Sequence, residues 1–256
     1  MNQNRVKQML AAGKVPLGTM IMEFNTTGIG RIAAEAGADF VIYDQEHTGW
    51  SVETIRMLVA TSRSTDLGAF VRVPATQYHL IARVLDVGAQ GLMIPMVETE
   101  EQARLVVQSA KYPPVGRRGA GFGLAHDDYQ DGDILEKMRT ANEQGLLIAQ
   151  IETAQGVENV DAIAAVEGID VLWIGHFDLT NSLGIPGQFE HPDYLRSVEA
   201  VLAACERHGK AAGIMVHSVE SGREHRAQGF RILAYWGDAW VYKNALREGL
   251  TGLRAE

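Results

Sequence analysis

The chain has 256 residues, of which 46% are hydrophobic and 21% are charged, a balance typical of folded globular proteins rather than disordered ones. Its formal net charge is −9 and no basic face stands out, so the sequence predicts no nucleic-acid binding. The single cysteine, Cys205, excludes an intrachain disulfide and a CxxC zinc site. The amino-terminal residues lack the apolar segment of a signal peptide, and no apolar run approaches the ~18 residues of a membrane span. We therefore expect a cytoplasmic protein that does not bind membranes.

Short apolar segments alternate with helical patterns along nearly the whole chain. The apolar segments are almost continuous rather than alternating with polar residues, which is typical of parallel strands buried on both faces. The predicted strands are Leu17–Met22, Phe40–Asp44, Ala69–Val73, Gly91–Pro95, Leu146–Ile151, Val171–Ile174, Ala212–Met215 and Arg231–Tyr235. The predicted helices between them include Ser51–Thr61, Tyr78–Val87, Thr99–Ser109, Asp193–His208 and Val219–Gln228.

Eight strand-and-helix units in about 250 residues predict a (β/α)8 TIM barrel, formed as a single domain over residues 1–256. A doubly wound open sheet is the alternative, but no GxGxxG follows the first strand. Ser51 and Thr99 are expected helix N-caps, and Gly88 and Gly229 lie where helix C-terminal caps are expected. The longest irregular stretch is Tyr112–Asp133.

Polar residues follow several of the predicted strands, where a barrel carries its active site. They are Asp44 and His47 after the second strand, Arg72 in the third, Gln150 and Glu152 at the end of the fifth, and Asp178 after the sixth. An isolated carboxylate is more often a helix N-cap or a surface ion pair than a ligand. Their convergence on one rim instead favours a site in which Glu152 and Asp178 bind Mg²⁺ or Mn²⁺ through hard oxygen ligands.

His47 has two interpretations. Beside Trp50 it fits a hydrogen-bonded structural residue, whereas at a strand end it fits a general acid/base that titrates near neutral pH. None of the six lysines is expected at the catalytic end of a strand, so the sequence predicts no lysine that could form an imine with the substrate. The lysines are Lys7, Lys14, Lys111, Lys137, Lys210 and Lys243.

A series of motifs resembles one family over roughly residues 5–250. In chain order the motifs are Asp44-x-Glu46-His47, Arg72-Val73-Pro74, Leu85-Asp86-Val87-Gly88-Ala89-Gln90-Gly91, Ile94-Pro95-Met96-Val97, Tyr112-Pro113-Pro114-x-Gly116-x-Arg118-Gly119, Gln150-Ile151-Glu152-Thr153 and Gly175-x-x-Asp178-Leu179. In combination they resemble the metal-dependent, class II pyruvate aldolases of the HpcH/HpaI family. That family includes aldolases of 4-hydroxy-2-oxoheptanedioate and 2-dehydro-3-deoxyglucarate.

The resemblance implies a barrel enzyme that reversibly cleaves 4-hydroxy-2-oxo acids to pyruvate and an aldehyde through a metal-stabilised pyruvate enolate. Glu152 and Asp178 would bind Mg²⁺, Mn²⁺ or Co²⁺, with pyruvate chelating the same ion. The resemblance further implies that Arg72 stabilises the enolate oxygen and that His47 is the acid/base, with Asp86 as its partner. Asp44 and Gln150 would support the metal shell. Backbone N–H groups near Phe177 and Asp178 would bind the substrate carboxylate. The resemblance also implies a homo-hexamer with exchanged C-terminal helices.

Two other functions remain open. The same metal–enolate site could decarboxylate oxaloacetate, and a non-catalytic ligand-binding barrel is a less favoured possibility. His176 and Phe177 stand where related sequences usually have proline and then alanine or serine. A phenylalanine that points into the pocket is expected to exclude bulky aldehydes.

Overall fold

The computed structural model describes residues 3–255 and forms a closed barrel of eight parallel strands, joined in chain order from β1 to β8 and back to β1. The strands are β1 Leu17–Ile21, β2 Phe40–Asp44, β3 Gly68–Arg72, β4 Gly91–Ile94, β5 Leu146–Ile151, β6 Val171–Ile174, β7 Ala211–Val216 and β8 Ile232–Gly237. The predicted (β/α)8 barrel is confirmed, and every predicted strand is found within two residues of its expected ends.

Helices follow or precede every strand. They are α1 Arg5–Ala11, α2 Ile29–Glu35, α3 Val52–Ser62, α4 Tyr78–Asp86, α5 Glu100–Ala110, α6 Ile134–Gln144, α7 Ala154–Glu158, α8 Val160–Ala165, α9 His176–Ser182, α10 Pro192–His208, α11 Val219–Gln228 and α12 Asp238–Arg254, with a 3-10 turn at Ala125–Asp127. Ser51 and Thr99 accept hydrogen bonds from the first turns of α3 and α5, as expected of N-caps. Gly88 and Gly229 follow α4 and α11 with φ of +107° and +111°, a conformation that favours glycine.

The core has two layers, one inside the barrel and one between the strands and the helices. Inside the barrel, the rings of Phe40 and Phe70 stack with their centroids 5.6 Å apart. Ile42, Ile148 and Trp173 fill the same interior. This packed interior leaves room for chemistry only at the ends of the strands.

No helix within residues 3–255 is long and apolar enough to cross a lipid bilayer.

Candidate active site

The alternation of side chains along each strand sets which polar residues reach the carboxyl end of the barrel interior. Ile42, Phe70, Ile148 and Trp173 face inward. Because side chains two residues apart share one face of a strand, the next inward positions lie at the strand ends. Those positions are occupied by Asp44, Arg72, Gln150 and Gly175. The four residues therefore line the end of the barrel interior.

Asp44 and Arg72 form a buried ion pair across β2 and β3. The two residues are direct partners in the parallel register of these strands. Nε and Nη2 of Arg72 donate to the two oxygens of Asp44 at 2.7 and 2.9 Å, a bidentate geometry that only a guanidinium provides. Arg72 is 6% exposed and Asp44 is fully buried. The pair therefore holds the guanidinium in one orientation at the rim.

Asp44 also organises the turn that follows β2. Its oxygens accept hydrogen bonds from the backbone N–H groups of Glu46 at 3.0 Å and His47 at 3.2 Å. Oε2 of Glu46 lies 3.1 Å from Nη1 of Arg72 and 3.7 Å from Nε2 of His47. The His47 side chain is about half exposed, so its imidazole is open to solvent beside the buried charges.

Glu152 lies just beyond β5 and is almost completely buried. The Met96 backbone N–H donates to its Oε1 at 2.7 Å, and the Gln150 amide donates to its Oε2, so the side chains of Gln150 and Glu152 meet at the rim. Gly175, directly after the neighbouring strand β6, has no room for a side chain, since a Cβ there would stand 2.3 Å from Oε2 of Glu152. Oε1 of Gln150 is buried and has no hydrogen-bond partner among the described residues.

Asp178 lies in the first turn of α9, directly after β6, and its side chain is exposed at the rim. Phe177 is 54% exposed, and its ring packs on His176 with 4.6 Å between ring centroids. His176 is buried, and burial together with the neighbouring His217 and His225 lowers the pKa of His176 to about 4. Phe177 therefore lies on the wall beside Asp178, and its effect on substrate choice stays a prediction.

The electrostatics of the rim are dominated by crowded carboxylates. Burial and the nearby charges of Glu46 and Asp178 raise the pKa of Glu152 to about 7, against the lowering effect of its hydrogen bonds. Burial also raises the pKa of Glu46, although Arg72 and His47 act in the opposite direction. For Arg72, burial favours a lower pKa, but the hydrogen bond and charge of Asp44 outweigh it and raise the pKa. The site has more negative charge than its single guanidinium neutralises.

Asp86 and His47 lie at opposite ends of the barrel of one chain, so their expected pairing is not made within a single chain and stays a prediction. It is the last residue of α4, and helices of this barrel run antiparallel to the strands, so Asp86 lies at the amino-terminal end of the barrel. There its Oδ1 accepts a 2.6 Å hydrogen bond from Nη2 of Arg118. His47 lies at the opposite end, and the acidic group recorded near its imidazole is Glu46.

Comparison with known proteins identifies the family. Residues 22–245 match the family described as HpcH/HpaI aldolase/citrate lyase. The chain belongs to the HpcH/HpaI aldolase/citrate lyase family. It is similar to a 5-keto-4-deoxy-D-glucarate aldolase of Escherichia coli O9:H4 (strain HS), with 32% identity over 96% of this chain and 94% of the relative. A hydroxypyruvate/pyruvate aldolase of Roseovarius nubinhibens is 35% identical over 99% of this chain and 98% of the relative.

The fold agrees with a solved member of the same family. The crystal structure of an HpcH/HpaI aldolase from Desulfitobacterium hafniense superposes with a TM-score of 0.95 and 34% identity, covering 100% of this chain and 98% of that one. The predicted resemblance to the HpcH/HpaI family and the prediction of an aldolase-type enzyme are both confirmed.

Two residues of the site, Glu46 and Met96, were not predicted from the sequence to have a role there. Glu46 contacts both Arg72 and His47, and its signal was its place two residues after Asp44 in the same motif. Met96 presents its N–H to Glu152 from a left-handed backbone, with φ of 52°. A non-glycine residue in that conformation is uncommon and often marks a functional segment. No sequence signal indicated it.

Proposed function

We propose that this family member is a divalent-metal-dependent aldolase that reversibly cleaves 4-hydroxy-2-oxo acids to pyruvate and an aldehyde. The observation that carries the proposal is the cluster of Glu46, Glu152 and Asp178 carboxylates beside the Asp44–Arg72 pair at one rim. The aldolase names of the relatives, one of which acts on pyruvate and hydroxypyruvate, favour the same reaction.

The residues present fit a divalent cation. Among residues 3–255, no three His, Cys, Asp or Glu side chains could hold a metal ion by themselves, so water or substrate would have to complete the ligand set. Glu152 and Asp178 would hold the ion, because both supply hard carboxylate oxygens at the rim and the charge of Asp178 raises the pKa of both Glu152 and Glu46. The unpartnered Oε1 of Gln150 offers a further oxygen beside them. Bound there, Mg²⁺, Mn²⁺ or Co²⁺ would supply Lewis-acid charge that stabilises the enolate of pyruvate.

The side chains of the chain itself would perform the remaining steps. Arg72, held in place by Asp44, would donate to the oxygen on which the enolate charge develops. His47 would take the proton of the aldol hydroxyl during cleavage and return it during condensation, since its imidazole is solvent-accessible and next to Glu46. The first-turn N–H groups of Phe177 and Asp178 would bind the substrate carboxylate. Asp44 would act by positioning Arg72.

The test is pyruvate release from a panel of 4-hydroxy-2-oxo acids, measured with and without a chelator. We expect release that EDTA abolishes and that added Mg²⁺, Mn²⁺ or Co²⁺ restores. Oxaloacetate is included in the panel, and pyruvate from oxaloacetate alone would replace the aldolase proposal with decarboxylation. Borohydride added with pyruvate is expected to leave the protein mass unchanged, whereas a pyruvyl adduct on a lysine would contradict a metal-dependent mechanism.

We further propose that the enzyme assembles as a homo-hexamer through α12. This helix exposes an apolar stripe of Tyr242, Leu246, Leu250 and Leu253, and Leu253 is 86% exposed. A groove of about 640 Å³ runs between α12 and α2, with Phe24 and Ile32 in its wall. Exposed apolar patches of this kind mark interaction surfaces.

An exchange of α12 between copies would bury the stripe. Light scattering is expected to report six chains of 28.0 kDa for the wild type and smaller species for Leu250→Glu. Asn244→Glu, on the same helix, is the control. An unchanged mass for Leu250→Glu would refute this role of α12.

A further inference from the structure

The carboxyl end of the barrel has an aromatic half opposite its charged half. The buried charges of the proposed active site lie at the ends of β2, β3 and β5. Four rings instead lie at or just beyond the ends of β6, β7 and β8, and we call them the aromatic strip: Phe177, His217, Trp236 and Trp240. Because the strands join in chain order, β7 lies across the barrel from β3, so the strip is on the side of the rim opposite Arg72.

The aromatic strip is continuous and borders the barrel interior. The His217 ring lies 6.0 Å from the ring of Phe177 and 4.3 Å from that of Trp236, between centroids. Trp236 in turn stacks on Trp240 at 6.0 Å. Met215 of β7 packs against the core inside the barrel, and His217 stands two residues further along the same face. The strip therefore extends from the first turn of α9 along the mouth of the proposed active site.

Trp236 adopts a left-handed backbone, with φ of 49°. β1 pairs Gly18 with Ala234 and Met20 with Gly237, so β8 carries one extra residue between these positions, a β-bulge. Glycine adopts a left-handed backbone without strain, whereas a bulky residue there costs stability. Bulges and strained residues next to active sites often aim a side chain at a ligand. A tryptophan at this position therefore indicates that its ring has a use that offsets the strain.

The chemistry of the aromatic strip favours an apolar, uncharged group. Every ring of the strip is at least partly exposed, so each offers apolar surface to a ligand. Burial lowers the pKa of His217, so its imidazole is mainly neutral at pH 7. The Arg72 guanidinium already contacts Asp44 and Glu46. A ligand carboxylate at the strip would lose its hydration and add to the excess of negative charge at the rim.

We propose that the aromatic strip binds the tail of the aldehyde partner, the part that leads away from the carbonyl group, and that this tail is uncharged and apolar. This substrate class rests on the proposed aldolase reaction. In the condensation, a bond forms between the methyl carbon of pyruvate, as its enolate, and the aldehyde carbon, whose oxygen takes up a proton. With pyruvate held beside Arg72, an unbranched tail would extend toward the opposite side of the rim and lie on Trp236. Neither Trp236 nor Trp240 lines the groove proposed for the exchange of α12, so the two surfaces are separate.

Uncleavable analogues measure the binding of the tail without turnover. The analogue 2-oxooctanoate carries the pyruvate head and an apolar tail but lacks the 4-hydroxyl group needed for cleavage, and 2-oxoheptanedioate carries a charged tail of similar length. Calorimetry in the presence of Mg²⁺ or Mn²⁺ compares both with pyruvate. We expect 2-oxooctanoate to bind about tenfold tighter than pyruvate, as a few buried methylenes provide, and 2-oxoheptanedioate to bind no tighter than pyruvate.

Substitutions of Trp236 test whether its ring holds the tail. Trp236→Gly removes the ring and suits the left-handed backbone, so we expect this variant to fold. Its preference for 2-oxooctanoate over pyruvate should disappear while its pyruvate affinity stays unchanged, and Trp236→Phe should keep part of the preference. Tyr129→Gly makes the same kind of change at an exposed residue with φ of 58° and shows how far the backbone alone alters the melting temperature.

Two binding results would overturn the proposal: 2-oxooctanoate that binds no tighter than pyruvate, and an equal preference in the wild type, Trp236→Phe and Trp236→Gly. Condensation assays with pyruvate and either pentanal or 4-oxobutanoate separate this failure from that of the proposed function. We expect kcat/KM to favour pentanal roughly tenfold. Condensation of both aldehydes without that preference would overturn the tail assignment alone, whereas selective binding of 2-oxooctanoate with no condensation would overturn the aldolase reaction alone.

Discussion

The two ends of the barrel differ in how their acidic side chains are paired with cations. At the amino-terminal end, acidic groups are matched by cations, as in Asp86–Arg118 at 2.6 Å and Lys7–Asp170 at 2.9 Å. At the carboxyl end, the charges of Glu46 and Asp178 help burial to raise the pKa of Glu152, and Arg72 is the guanidinium beside them. Matched pairs leave little net charge to compensate, whereas crowded carboxylates cost stability until a cation joins them. The difference separates the end that supports the fold from the end proposed to carry the chemistry.

Glu152→Gln is expected to have the strongest effect on the charged site at the carboxyl end of the barrel. The change removes a proposed metal ligand and one negative charge while it keeps the side-chain shape. We expect kcat/KM to fall about 10³-fold or more, since a metal contributes several kcal/mol of transition-state stabilisation. Mn²⁺ binding, measured by calorimetry on the purified protein, should weaken in parallel. Glu53→Gln, exposed on α3, is the control, and undiminished Mn²⁺ affinity in Glu152→Gln would exclude Glu152 as a ligand.

His47→Ala separates proton transfer from substrate binding. We expect kcat to fall by ~10²–10⁴-fold, the usual contribution of one general acid/base, with a smaller change in pyruvate affinity. His79→Ala, an exposed histidine at the start of α4, is the control. Steady-state kinetics and pyruvate titrations measure the two quantities. A normal kcat would return His47 to a structural role.

Arg72→Lys keeps the charge of the rim but loses the bidentate geometry. Lysine cannot donate to both oxygens of Asp44 in the fork of a guanidinium, so the cation would no longer be fixed. We expect a loss of ~10²–10³-fold in kcat, as for one preorganised donor. Arg56→Lys on α3 is the matched control. If both variants retain full kcat, the orientation of Arg72 is irrelevant to the reaction.

Phe177→Ala tests the wall beside Asp178. A smaller side chain should admit larger aldehydes, and pocket fit of this kind is worth roughly tenfold in selectivity. The measurement is the ratio of kcat/KM for glycolaldehyde and benzaldehyde in condensation with pyruvate, with Leu135→Ala as the control. An unchanged ratio would show that Phe177 does not select the aldehyde.

Lys111 is a buried lysine at the amino-terminal end of the barrel, and its pKa affects how stability depends on pH. Its ammonium is buried and donates to the carbonyl oxygens of Gly145 and Asn142, and burial lowers the pKa of Lys111 from 10.5 to about 8. Between those two values the unfolded chain binds more protons at this site than the folded one, so the site stabilises folding more as pH rises.

We therefore expect the stability of the wild type relative to Lys111→Met to increase from pH 7.5 to 10, by no more than about 3 kcal/mol. Urea unfolding at each pH measures this difference, and activity should change little. Lys243→Met is the exposed control. A pH-independent difference would show that Lys111 titrates normally.

The barrel was predictable because each strand is an apolar run buried on both faces, and such runs are visible without any knowledge of their neighbours. Helix caps were predictable for a similar reason, since Ser51 and Thr99 act within a few residues of their own position. Helix α9 was not predicted, because its seven residues are mostly polar and no side chain caps it. The pairing of Asp86 with His47 was expected from the resemblance alone, and because Asp86 ends a helix at the opposite end of the barrel, contacts within one chain do not test it.

The sequence by itself determined the fold class, the family and the residue types at the strand ends, because these follow from local patterns along the chain. Only the tertiary structure decided what each residue contacts. The register of β2 against β3 places Asp44 on Arg72, the turn after β2 brings Glu46 to the same guanidinium, and Met96 adopts the backbone that reaches Glu152. These contacts join residues from different strands and loops, and their distances depend on how the barrel closes rather than on any segment alone.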